Sequence, residues 1–349
     1  MTGPDVARGS LLLAIETSCD DTSAAVMAPD GRLLSAVVHS QDVMHEKYGG
    51  VVPEVASRAH VERATGVVRE ALSEAGARLD HLGRVAVTVG PGLIGALLIG
   101  VQTAKAIAWA RRLPLTPVHH LHGHLAAVWL TEPEVTFPFL TLIASGGHTA
   151  LVLVEAADRF HVLGQTLDDA AGEAMDKGAR LLGLGYPGGR ELDLLAETGD
   201  DGAFDFPVGL REEGRLDFSF SGVKTALFYV LREMTAEERR SRAADVAASY
   251  RSAVVEPLVT KLLAAARREG VVTVSLAGGV AANSLLRRRL EVEGAAAGFG
   301  VIIPPPRFCT DNAAMIAAAA LRAGPIVVFP DYLALEASAS LALGADLRP

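Results

Sequence analysis

The chain has 349 residues, half of them apolar, enough for two buried cores or one large α/β core. A formal charge of −9 weighs against a freestanding nucleic-acid binder, because phosphate contacts need a basic surface. Two cysteines, Cys19 and Cys309, are no disulfide framework and fit a reducing compartment. Residues 1–10 lack the basic-then-apolar order of a signal peptide, and the longest apolar stretch, residues 93–110, is interrupted by Gln102 and Lys105. The expectation is a cytoplasmic protein with no membrane span.

In chain order, residues 11–15 form an apolar run, followed by the polar turn Glu16-Thr17-Ser18-Cys19-Asp20-Asp21-Thr22 and a second apolar run through Met27. This pattern predicts strand, turn, strand. Pro53 suits the first turn of a helix running to about residue 75. Residues 84–89 read as a strand ending at Gly90-Pro91-Gly92, before a helix that lines up Leu97, Val101, Ala104 and Ala108 on one face. Phe139 to Ala144, the turn Ser145-Gly146-Gly147-His148-Thr149 and residues 150–154 repeat the strand–turn–strand design without repeating its residues. Helices are predicted from about Asp168, around 222–233 and over 243–268. After them come a buried strand over 271–276, a Gly278-Gly279 turn, and helices over 283–290 and 311–323. Alternating strands and helices, with a hairpin near the start of each half, predict a duplicated α/β fold with ligands at the carboxyl ends of the strands.

Three groups of residues carry chemistry. In His119-His120-Leu121-His122-Gly123-His124, a helix would project His120 and His124, four residues apart, from one face, which suits a divalent metal. Leu121 stands where a zinc peptidase would carry its glutamate base, and a third ligand must come from elsewhere, a carboxylate for preference. A helix through Asp168 would place Asp169, Glu173 and Asp176 on one face, either to meet ribose hydroxyls or as a solvated face eased by Lys177 and Arg180. Ser145-Gly146-Gly147 and Gly278-Gly279 follow strands and could present backbone N–H groups to phosphate or carbonyl oxygens, though neither is a Walker loop. The arginine clusters at 239–242, 267–268 and 287–289 read as solvated helix faces. The residues alone lead to a nucleotide-and-metal enzyme.

Longer strings are more specific. Glu16-Thr-Ser-Cys-Asp-Asp-Thr22, Tyr48-Gly-Gly-Val-Val-Pro-Glu54, Gly90-Pro-Gly-Leu-Ile-Gly95, the His120/His124 pair, Ser145-Gly-Gly-His-Thr149, the stretch 168–177, Tyr186-Pro-Gly-Gly189, Phe218-Ser-Phe-Ser-Gly-Val-Lys-Thr225, Gly278-Gly-Val-Ala-Ala-Asn283 and Cys309-Thr-Asp-Asn312 occur in one order. Over residues 11–320 the chain resembles the tRNA N6-adenosine threonylcarbamoyltransferase family. The resemblance implies an actin/sugar-kinase/heat-shock ATPase-like duplicated α/β fold, two lobes with a ligand cleft between them: residues 1–117, with the C-terminal helix from about 320 packing back, and residues 118–319.

It also implies that His120, His124 and Asp311 ligate one divalent metal per subunit, iron or zinc. Ile143, Ala144, Ser145, Gly146, Gly147, Asp176, Gly189, Asp193 and Asn283 match positions that bind the substrate threonylcarbamoyl-AMP. The implied reaction carries the threonylcarbamoyl group to N6 of the adenosine beside the tRNA anticodon and releases AMP. The implied partners are a smaller paralogous subunit and a P-loop ATPase, which fits an acidic chain handling tRNA, and Arg287, Arg288 and Arg289 are candidates for its grip. Many relatives carry Met-Glu where this chain has Leu121-His122. No covalent nucleophile is needed, so both cysteines read as structural. The rival readings are a small-molecule kinase of the same fold, which gives no reason for the histidine pair, and a metallopeptidase, which Leu121 disfavours.

Overall fold

A computed structural model describes residues 9–212 and 214–349; the stretch read for a leader lies outside them but for Gly9 and Ser10. No helix among the described residues is long and apolar enough to cross a membrane. The chain separates into two compact units. One runs to Pro133 and resumes over Asp311–Pro349, and the other is Glu134–Thr310.

The first unit opens with β1 (Leu11–Glu16), β2 (Asp21–Met27) and β3 (Leu33–Ser40), then α1 (Asp42–Glu46) and α2 (Pro53–Glu74). β4 (Leu82–Gly90), α3 (Ile94–Arg111), β5 (Leu115–His119) and the short α4 (His120–Ala126) follow. The second unit contains β6 (Phe139–Ala144), β7 (Thr149–Ala156), β8 (Arg159–Gln165), α5 (Ala171–Leu181), α6 (Gly188–Ala196), α7 (Ser221–Glu233), α8 (Ala236–Ser241), α9 (Ala243–Glu269), β9 (Thr273–Ala277), α10 (Ser284–Ala296) and β10 (Gly300–Ile302). The chain then returns to the first unit through α11 (Ala313–Arg322).

The two sheets share one design. The first has the order β3-β2-β1-β4-β5, with β1–β2 and β2–β3 antiparallel and β1–β4 and β4–β5 parallel. In the second, β8-β7-β6-β9-β10 repeats this pattern of directions strand for strand. The hairpins predicted at residues 11–27 and 139–154 are therefore the same element of a duplicated α/β fold. Each parallel addition needs a crossover, supplied by α2 and α3 in one unit and by the helices α5 to α10 in the other.

Sequence periodicity explains the packing. Leu97, Val101, Ala104 and Ala108 of α3 are wholly buried, each larger side chain contributing about 1.5–3 kcal/mol by leaving water. Pro53 is the first residue of α2, where its missing N–H costs nothing. Each unit has a core drawn from its own residues, one centred on β1, β4 and α3 and the other on β6, α9 and β9.

The unit boundaries fall after residues 133 and 310, whereas the resemblance placed them after 117 and 319. α11 packs on α4 and on β1 and β2, and this carries both the histidine-bearing helix and α11 into the first unit. The tail comes back as well: Val327 pairs with Leu115, and Val327, Tyr332 and Leu335 join the first core.

Candidate metal centre and nucleotide-binding loops

The candidate metal centre is built where β5 ends. His119, the last residue of the strand, caps α4 by accepting from the Leu121 N–H at 3.1 Å, which starts the helix at His120 and sets His120 and His124 one turn apart. Gly123 lies so close to α11 that an added Cβ would stand 2.6 Å from Ile316 Cδ1. The start of α11 is fixed by its own cap, Asn312 Oδ1 accepting from the Met315 N–H at 2.9 Å, and by the Ala313 N–H donating to Ser23 Oγ on β2 at 2.8 Å. Asp311, just ahead of that cap, is thereby delivered to the histidines.

Asp311 Oδ1 stands 3.5 Å from His120 Nε2 and 3.3 Å from His124 Nε2. One ligand atom from each of the three residues lies within 4.8 Å of the others. Both ring nitrogens of His124 are buried with no well-formed hydrogen bond, only the Asp311 carboxylate standing beside Nε2, a state folded proteins rarely leave unrelieved. Ligation through Nε2 relieves one of them. Two imidazoles and a carboxylate suit zinc or iron(II) and leave positions open, so the donor set fits a divalent metal.

Charge is concentrated here. Burial alone would depress the His120 imidazolium, but Asp311 and then Glu16 push its pKa up to about 9. For His124 burial wins and lowers it. Burial opposes ionisation of Glu16, yet the attraction of His120 and the hydrogen bonds it receives hold it below the ordinary carboxylate range. Burial first, then Asp20 and Asp311, push the Cys19 thiol far up, and burial raises Cys309. Neither is a thiolate nucleophile at neutral pH.

Glu16 and Ser18 are the residues that sequence reasoning quoted without assigning a role. Glu16 is wholly buried at the end of β1, with Thr88 Oγ1 donating to it, and Ser18 Oγ lies 3.1 Å from His120 Nδ1. A charged residue closing an otherwise apolar strand was the available signal.

In the second unit the turn from Ser145 to His148 closes β6 onto β7, the Ser145 N–H donating to His148 O at 2.8 Å. Gly146 and Gly147 are exposed, and a Cβ on either would meet nothing within 4 Å, so a flat ligand could lie against bare backbone. Ile143 and Ala144 are buried in β6. Gly278 takes a φ of +88° at the end of β9, where any side chain would strike the Ala144 carbonyl. This requirement explains the Gly-Gly turn there.

α6 carries Gly189 and Asp193 one turn apart. The Gly189 N–H donates to Asp176 Oδ1 at 2.8 Å, so these two are brought together. Asp193 is joined to Asn283, whose Nδ2 donates to Oδ1 at 2.8 Å while its own Oδ1 caps α10 through the Leu286 N–H at 3.0 Å. Asp193 also accepts from the Ser284 N–H at 2.9 Å and from Arg251 Nη1 at 2.7 Å. Arg251, buried on α9, had no role in the sequence reading. An arginine amid the apolar run of that helix was its only mark.

The acidic face predicted from Asp168 onward is differently made. α5 begins at Ala171, so Asp169 precedes it, and its carboxylate is held by Lys177 and Lys224, each at 2.9 Å. Glu173 pairs with Lys177 at 2.8 Å. Asp168 anchors the start of α7, where hydrogen bonds from Ser219, Phe220 and Ser221 outweigh its burial and keep its carboxyl below the usual range. Of the arginines 287–289, Arg287 donates to Ala281 O and Pro304 O and Arg289 pairs with Glu256 and Glu293, while Arg288 is exposed.

A five-stranded sheet built twice to one pattern of strand directions, with glycine-rich loops at strand ends, defines a duplicated α/β fold. Solved structures agree. Full-length HypF in its phosphate- and nucleotide-bound form is 15% identical with a TM-score of 0.59, over 96% of this chain and 57% of that one. The (R)-2-hydroxyglutaryl-CoA dehydratase component A of Acidaminococcus fermentans is also 15% identical, with a TM-score of 0.54 over 89% and 98%. At such identity the likeness shows the fold. Sequence goes further: the family profile of tRNA N6-adenosine threonylcarbamoyltransferase matches residues 32–318. The proteins of that name from Geobacter metallireducens and Trichlorobacter lovleyi are 52% and 50% identical, over 88% and 97% of this chain and 90% and 98% of theirs. The chain belongs to the tRNA N6-adenosine threonylcarbamoyltransferase family, and it is a tRNA-modifying transferase.

Proposed function

We propose that this transferase moves the threonylcarbamoyl group of threonylcarbamoyl-AMP to the exocyclic N6 of the adenosine beside the tRNA anticodon, with one divalent metal, iron or zinc, held by His120, His124 and Asp311. The observation that carries the metal assignment is the convergence of those three side chains from two distant parts of the chain, with ligand atoms within 4.8 Å. A metal held by His120, His124 and Asp311 would supply Lewis acidity to an oxygen on which charge develops.

In the reaction a bond forms between N6 and the carbamoyl carbon, the carbon–oxygen bond to the phosphate breaks, AMP leaves with the electron pair, and N6 gives up a proton. The mixed anhydride is already activated, so the protein's task is alignment and stabilisation of charge. Both cysteine thiols stay protonated, which supports a transfer without a covalent protein intermediate. We assign the adenylate to the second unit. Ser145, Gly146 and Gly147 offer open backbone beyond Ile143 and Ala144, and the pairs Asp176 with Gly189 and Asp193 with Asn283 tie α6 to its neighbours.

The net charge of −9 favours partners that share the grip on tRNA, for which we assign a smaller paralogous subunit and a P-loop ATPase. Free cysteines and the absence of a membrane-crossing helix among the described residues support a cytoplasmic setting.

The test is reconstitution. The purified chain, with partner subunits, receives threonylcarbamoyl-AMP and unmodified tRNA, and digested nucleosides are read by mass spectrometry beside bound-metal analysis. Threonylcarbamoyl-adenosine is expected with the wild type, and His120→Ala is expected to lose both metal and product. No product from folded protein that binds the adenylate would overturn the reading, and phosphorylation of a small molecule instead would restore the kinase alternative.

A further inference from the structure

The geometry points to Glu16 as the positioning residue of the metal centre: its carboxylate holds the Nδ1–H of His120, so that Nε2, on the Asp311 side, is the nitrogen that gives up its proton when a metal binds. The inference rests on the metal assignment above and adds to it the residue that fixes the ligand's tautomer. Glu16 is wholly buried. Its Oε1 accepts from the Ser18 N–H at 2.5 Å, its Oε2 accepts from Thr88 Oγ1, and Oε2 lies 3.4 Å from His120 Nδ1. An unprotonated Nδ1 at that place would set its lone pair against a buried carboxylate. With the proton on Nδ1, the ring becomes a third donor to Glu16, and Ser18 Oγ at 3.1 Å can share it.

Nothing else about the ring decides between its nitrogens. His120 Nε2 stands 3.5 Å from Asp311 Oδ1, so a proton on Nε2 would also find an acceptor. A histidine that ligates through one nitrogen commonly donates its other N–H to a carboxylate, which orients the ring and raises its basicity. Here that carboxylate comes from β1 and the histidine from α4, far apart in the chain and joined by the parallel pairing of β1 with β4 and β4 with β5.

Replacement by glutamine is informative because an amide has one acceptor oxygen. In Glu16→Gln the backbone N–H of Ser18 claims that oxygen, and the amide NH2 is left facing Thr88 and His120. A donor facing Nδ1 favours the opposite tautomer, with the proton on Nε2, and that form cannot ligate until it is reversed.

The experiment uses the full chain with histidines labelled with 15N and cadmium-113 as the probe ion. In the wild type, coupling of cadmium to His120 Nε2 and a proton on Nδ1 are expected. Cadmium affinity in Glu16→Gln is expected to fall about 10–100-fold with the thermal melt of the folded protein retained. Coupling of cadmium to Nδ1 in the wild type would overturn the inference, as would wild-type affinity in a folded Glu16→Gln. If the variant does not fold, the wild-type spectrum alone decides. A wild type that takes up no cadmium would sink the metal assignment itself, an outcome read before any variant is made.

Discussion

Asp21 stands at the first position of β2, where burial foremost, and then the charges of Asp311 and Asp20, push its carboxyl up to about 8. An unfolded aspartate titrates near 3.9, so between about pH 4 and pH 8 the folded chain holds a proton that the unfolded chain has released. The unfolded state then binds fewer protons, and stability falls as pH rises through that window. In metal-free protein, Asp21→Asn is expected to raise stability at pH 8 by about 1 kcal/mol or more and to flatten the loss between pH 5 and 8, read by denaturant titration at each pH. An unchanged slope would remove Asp21 as its source. At this scale the sequence was uneven in what it revealed. His120 and His124 announce themselves by spacing alone. Asp311 came only through family resemblance, because no local pattern links residue 311 to residue 120. Glu16 meets His120 only after two parallel strand pairings have formed, and its burial is invisible before them.

Arg251 ties three helices together. From α9 it donates to Asp193 on α6, to Glu197 just beyond it and to Ser284 at the start of α10, with its own side chain only 5% exposed. Taking away one partner of a buried ion pair leaves charge uncompensated, so Arg251→Met is expected to cost about 3 kcal/mol, with Asp193 still served by Asn283 and Ser284. Combining it with Asp193→Asn should recover part of that loss in a double-substitution cycle, since the stranded carboxylate is then gone. Simple additivity would mean that the pair is not coupled. The long helices α2, α3 and α9 were legible to within a few residues, because their length, more than any sharp apolar stripe, marks them as helices. β3 and β8 were not, for a physical reason: both are edge strands with few buried residues, so their apolar alternation is faint. β10, three residues long, carries too little pattern to register. The displaced start of α5 has the same kind of cause. Asp169 serves two lysines ahead of the helix, and a run of acidic residues cannot disclose where its partners will lie.

At the scale of the molecule, duplication was visible as two strand–turn–strand signatures, while the division of the chain was hidden in the packing of α4 against α11. The second unit is one continuous segment whose core is wholly its own. A fragment of residues 134–310 is therefore expected to fold alone and melt cooperatively, as followed by circular dichroism and calorimetry. A fragment ending at residue 310 that keeps residue 1 as its start is expected to leave the first unit incomplete, because α11 and the strand partner Val327 are missing. A first unit that melts normally in that truncation would contradict the division. The return of the chain at Asp311 also sets an order in time. A ribosome makes both histidines early and the carboxylate only after the entire second unit has been synthesised. No chain that ends before residue 311 carries all three candidate ligands, so uptake of the proposed metal there would be a late event of biosynthesis.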